Sequence, residues 1–126
     1  SRLRAKRGEI EASDENGFIQ FEKEERGRGP TETRVYIIED MILVRMRGVL
    51  TPAESKLAQS SDGHDLIRQV RQQLLEGARS LLEEIVLQKV GCKVVSLHTD
   101  ISVRTNERVI VFTLAEKLEI GIDRPR

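Results

Sequence analysis

With 126 residues and 21 basic against 21 acidic side chains, the chain has no net charge to steer it toward nucleic acid or an anionic membrane, so any such binding needs a local patch. An apolar content of 38% with one Tyr, three Phe and no Trp suits a single domain with one aliphatic core. Cys92, the only cysteine, excludes an internal disulfide and a zinc site built of cysteines, and no apolar run approaches the roughly 18 residues of a membrane span.

In chain order, residues 1–17 read as a flexible or frayed segment. The basic start "SRLRAKRG" is followed by "EIEASDENG" and not by the apolar stretch of a signal peptide, and the initial Ser points to a trimmed or processed end. The apolar cluster Phe18, Ile19 and Phe21 opens a helix that Asn16 caps. It is expected to run to about Arg26 and stop at Gly27, with Pro30 preventing resumption. The stretch "ERGRGP" is thus a stop and a turn. Exposed N–H groups of its glycines, Gly27 and Gly29, would also form an anion nest beside Arg28.

"TRVYIIEDMILVRMRG" predicts a β-hairpin turning at Glu39-Asp40, although that pair lacks the glycine such turns favour. The register sets Ile38 opposite Met41 and Arg34 opposite Arg45. One face then carries Val35, Ile37, Ile42, Val44 and Met46 as core. The other carries Arg34, Tyr36, Ile38, Met41, Leu43, Arg45 and Arg47.

"LTPAE" is a capping box, with Thr51 as N-cap, Pro52 at the first helical position and Glu54 three residues after the cap. Its short helix is expected to end near Gln59, broken by "SSDG". A long helix follows from about His64 to Lys89. Its buried stripe is read as Ile67, Val70, Leu74, Ala78, Leu81 and Ile85, widened by Leu66, Leu75, Leu82 and Val86. Gly77 in mid-helix implies close packing against another helix or the sheet. After Gly91, "GCKVVSLHTDISVR" and "RVIVFTL" form a second hairpin around Thr105-Asn106-Glu107. Val95, Leu97, Ile101 and Val103 point inward, and Ser96, His98, Asp100 and Ser102 outward. Residues 116–126 form a charged tail. The fold class is α+β, a four-stranded antiparallel sheet of two hairpins with one long helix and one or two shorter ones on one face.

The main candidate for function is the basic sheet face. Like charges opposed across a strand pair repel, so Arg34 and Arg45, with Arg47 and Arg28 nearby, point to an anion, an acidic partner or side chains splayed into water. Tyr36 and the flanking apolar residues favour an interface, since Tyr, Met and Arg are enriched there. His98 and Asp100 share a strand face but have no nucleophile at usable spacing. Two histidines without a motif make no metal site, and neither a cofactor nor a catalytic role is expected.

"GRGPTETRVYIIEDMILVRMRGVLTPAE", "VRQ" at 70–72, "GCKV" at 91–94 and "VFTL" at 111–114 together resemble the MpsC-like family of small bacterial proteins, a match spanning about residues 18–115. The matching positions are Gly27, Gly29, Pro30, Leu50, Thr51, Glu54, Arg68 or Arg71, Gly91 and Phe112. The N-terminal segment departs from the amphipathic helix usual in the family. The resemblance implies a soluble bacterial protein accompanying a membrane-potential-generating transport system, with arginines of the long helix among its functional residues. The expectation is one domain over 18–115, a homodimer through the mixed sheet face, and a non-enzymatic cytoplasmic accessory or regulatory protein docking on a transporter subunit. It would not insert into the membrane or bind nucleic acid. The alternative is a small-anion or nucleotide sensor using Arg28, Arg34 and Arg45.

Overall fold

The computed structural model describes residues 17–20 and 30–117. Residues 17–20 are helical, and Phe18 is wholly buried, its ring stacked on Phe112 at 5.8 Å between centroids. The remainder of the expected first helix, with Gly27, Arg28 and Gly29, lies outside the described residues.

The first hairpin pairs β1 (Glu32–Ile38) with β2 (Met41–Arg47) in the register expected, Ile38 opposite Met41 and Arg34 opposite Arg45. Glu39 adopts φ 53°, so a non-glycine residue takes the left-handed position of the turn. Val35, Ile37, Ile42, Val44 and Met46 are all buried, as the alternation requires.

Beyond β2, Gly48 at φ 68° turns the chain. Helix α1 (Pro52–Leu57) opens with the predicted capping box: Glu54 N–H donates to Thr51 Oγ1 at 3.1 Å, and Thr51 N–H to Glu54 Oε1 at 2.8 Å. Helix α2 (Ser61–Val90) begins three residues earlier than expected. "SSDG" is therefore a start as well as a break, because the Ser60 hydroxyl accepts from Gly63 N–H at 3.0 Å and caps α2. Gly91, left-handed at φ 74°, closes the helix by donating to the Leu87 carbonyl at 2.8 Å.

The second hairpin joins β3 (Val94–Ser102) to β4 (Glu107–Leu114), and the sheet order is β1-β2-β4-β3. The hairpins thus meet along β2 and β4, and α2 lies on the inner face with the core between. Asn106, at φ 58° in the second turn, ties the layers: its backbone carbonyl accepts from Gly48 N–H and its side chain from Leu50 N–H, at 2.9 and 2.8 Å.

Two expectations about facing are corrected. The buried stripe of α2 is Ile67, Arg71, Leu75, Ala78, Leu82 and Val86, whereas Leu66, Val70, Leu74 and Leu81 are exposed. The helix carries two apolar stripes about 100° apart, one residue out of step, and the one that includes Arg71 is turned inward. Val95 is 61% exposed, because a β-bulge between Val94 and Ser96 breaks the alternation there. From Ser96 onward the predicted outward set, Ser96, His98, Asp100 and Ser102, holds against inward Leu97 and Ile101.

Candidate functional site

The outer face of the sheet is built in cross-strand rows. Glu32, Arg47 and Glu107 lie side by side, followed by Arg34, Arg45, Val109 and Asp100. The next row is Tyr36, Leu43, Val111 and His98, and the last Ile38, Met41, Thr113 and Ser96. The face is therefore charged at one end and mostly apolar at the other. Tyr36, Ile38 and Met41 are exposed.

The opposed arginines are accommodated by two glutamates, Glu32 and Glu107, that lie among them. Arg45 Nε donates to Glu107 Oε2 at 2.6 Å, and Arg47 Nε lies 3.5 Å from the same oxygen and 3.8 Å from Glu32 Oε1. Arg34 Nη2 reaches Glu32 Oε2 at 3.5 Å, and its Nη1 donates to the Thr33 carbonyl. The hydrogen bond from Arg45, reinforced by the charges of Arg45 and Arg47 against a smaller desolvation effect, holds the Glu107 carboxyl below its ordinary pKa, and the same bond raises that of Arg45. These two rows hold three arginines and three carboxylates, Glu32, Glu107 and Asp100, the last of them paired with Arg68 from α2. Glu32 could have been read from the first-hairpin register, which sets it opposite Arg47. Glu107 could not, because its neighbourhood depends on β2 pairing with β4.

The two helix arginines have different surroundings. Arg71, 4% exposed, grips Glu54 with both arms of its guanidinium, Nη2 to Oε1 at 2.7 Å and Nε to Oε2 at 3.0 Å, and also donates to the Val49 carbonyl. The capping box and the long helix are thus one unit. Burial pushes the Glu54 carboxyl up, but hydrogen bonds from Arg71 and Thr51 outweigh it and hold the group below its usual pKa. Arg68 is exposed and donates from Nη2 to both oxygens of Asp100, at 3.0 and 3.1 Å. Ile101 N–H also donates to Asp100, and these bonds lower its pKa, the backbone one most. The Asp100 carboxylate is therefore engaged by Arg68 and Ile101. Beneath this pair lies a cleft of about 210 Å³ lined by Arg68, Gln69, Gln72, Asp100, Ile101 and the buried Arg108. Arg108 Nη1 donates to Thr99 Oγ1 at 2.9 Å.

Pro30, Thr51, Pro52, Glu54 and Gly91 stand where a turn, a cap and a helix stop require them. Among the described residues no group of three or more His, Cys, Asp or Glu is placed to hold a metal ion, and no helix is long and apolar enough to cross a membrane.

A family model described as "Na+-translocating membrane potential-generating system (MpsC)" matches residues 6–116. The chain belongs to the MpsC family. It is 39% identical over 122 residues, 97% of its own length and 98% of the relative's, to the uncharacterized protein YbcI of Bacillus subtilis (strain 168). A second relative from the same organism, the uncharacterized protein YrhF, is 27% identical over 101 residues, covering 79% of this chain and 83% of that one. No solved structure matches significantly. Within the MpsC family the expected Gly-x-Gly-Pro, Leu-Thr-x-x-Glu and Val-Phe-x-Leu segments all fall inside the matched span.

Proposed function

We propose that this MpsC-family chain is a non-enzymatic cytoplasmic accessory protein of a membrane ion-transport system, and that it works by docking. The observation that carries the reading is the outer sheet face, where Tyr36, Ile38 and Met41 stand exposed beside Arg34, Arg45 and Arg47. An interface of this composition suits a partner with an apolar centre and an acidic rim. The family description, naming a Na+-translocating membrane potential-generating system, supports a transport partner. The small-anion alternative is less favoured, because Glu32 and Glu107 already stand among the arginines an anion would need.

The test is capture from bacterial membranes with the tagged chain and with its Arg45→Glu variant, read by mass spectrometry. A membrane transport subunit retained by the native chain and lost with the variant, whose circular dichroism and cooperative melting persist, is expected. Equal capture by both chains rejects the sheet face as the docking surface. A saturable thermal shift with bicarbonate or phosphate, lost in Arg34→Ala, would return the anion reading.

A further inference from the structure

The second apolar stripe of α2 lies away from the sheet. Leu66, Val70, Leu74 and Leu81 are 48, 44, 53 and 49% exposed, and their spacing aligns them on one side of the helix over about 22 Å. Gly77 belongs to this stripe. Nothing in the described residues lies within 4 Å of where its Cβ would be, so the close packing a mid-helix glycine implies is not met among them.

We infer that this stripe is a seam on which a second copy of the chain packs, helix against antiparallel helix. The spacing is self-complementary. Leu66 and Leu81 are equidistant from the stripe's midpoint, and so are Val70 and Gly77. A two-fold axis through that midpoint sets each Val70 into the gap over the other copy's Gly77, each Leu66 against a Leu81, and Leu74 near its own copy. An isologous interface requires such a match of one patch to itself. The seam is flanked on its solvent side by Asp65, Gln69, Gln73, Glu76 and Ser80, so one charged side chain, Glu76, lies beside its middle; it and Asp65 stand on the exposed rim, and Asp62 and Glu84 at the ends, where water screens them. Outside the described residues the chain offers Leu3, Ile10 and Phe21 before the sheet and Leu118, Ile120 and Ile122 after it, and the test below separates these from a second copy. This relocates the expected homodimer from the sheet to α2 and leaves the outer sheet face for a different partner.

Sedimentation velocity of the full chain, from micromolar to millimolar, tests the seam. Twice the chain mass is expected, and Leu74→Glu should restore the single-chain mass with helical circular dichroism unchanged. Gly77→Ala is the sharper variant. It faces open space among the described residues of one copy, so it should raise the melting temperature of the single chain while weakening association by roughly tenfold. A chain that stays single at every concentration, its stripe covered by its own terminal residues or by nothing, overturns the inference. So does a dimer indifferent to both substitutions. Leu74→Glu is expected to leave partner capture through Arg45 in place, so failure of the docking proposal and failure of the seam give different results.

Discussion

At the scale of single residues, Arg71 and Glu54 are costlier to separate than a solvated pair, because a guanidinium with 4% exposure needs a charged partner. Arg71→Ala leaves Glu54 half-buried and without its partner, and urea unfolding should find a loss of about 3 kcal/mol. Arg68→Ala, on the solvated pair with Asp100, should change stability by less than about 1 kcal/mol. The two arginines that the family pattern could not separate are thus told apart by burial. The pair also sets a pH dependence. Glu54 has a lowered pKa in the folded chain, so its contribution is complete above the ordinary value of 4.5 and is lost as the pH falls from there through the folded-state value. In Arg71→Ala, desolvation without the guanidinium raises that pKa, so acid unfolding monitored by circular dichroism should begin at higher pH. Thr33 is the opposite case. Its buried hydroxyl has no hydrogen-bond partner among the described residues, and Thr33→Val should stabilise the chain by about 1 kcal/mol in the same urea assay.

At the scale of elements, the junction of α1 and α2 is the tightest point. Gly63 sits in the first turn of α2 directly under the Leu57 carbonyl, and a Cβ there would overlap that backbone atom. Backbone cannot yield as the end of a side chain does, so Gly63→Ala should lower stability by about 2 kcal/mol in thermal or urea unfolding. Gly77→Ala, fourteen residues on in the same helix with open space among the described residues, carries the opposite sign for the single chain. The pair of variants separates the two reasons for a glycine in a helix, close approach and an uncovered face.

For the whole molecule, the sheet separates two surfaces. The inner face is closed by α2, and the outer face keeps Tyr36, Ile38 and Met41 in water beside partly neutralised arginines. The docking variant Arg45→Glu and the seam variant Leu74→Glu address opposite layers. In a doubly substituted chain the losses of partner capture and of self-association should add without compensation, read by capture and by sedimentation.

The sequence by itself determined the elements whose signals are local. Alternation set the first hairpin's register to the residue, from Ile38 opposite Met41 to Arg34 opposite Arg45, and the run Thr51-Pro52-Ala53-Glu54 set the start of α1. Most of the outward face of β3 was legible for the same reason, and the family pattern was confirmed by the matched span 6–116. Tertiary structure alone decided which stripe of α2 faces the core, because two stripes of similar apolarity lie one residue apart; the one turned inward packs Ile67, Leu75, Leu82 and Val86 into the core and carries Arg71 to Glu54. It also decided the neighbours of the basic residues. Glu107 is sixty-two positions from Arg45 and meets it only because β4 inserts beside β2, a pairing between hairpins that no local pattern encodes.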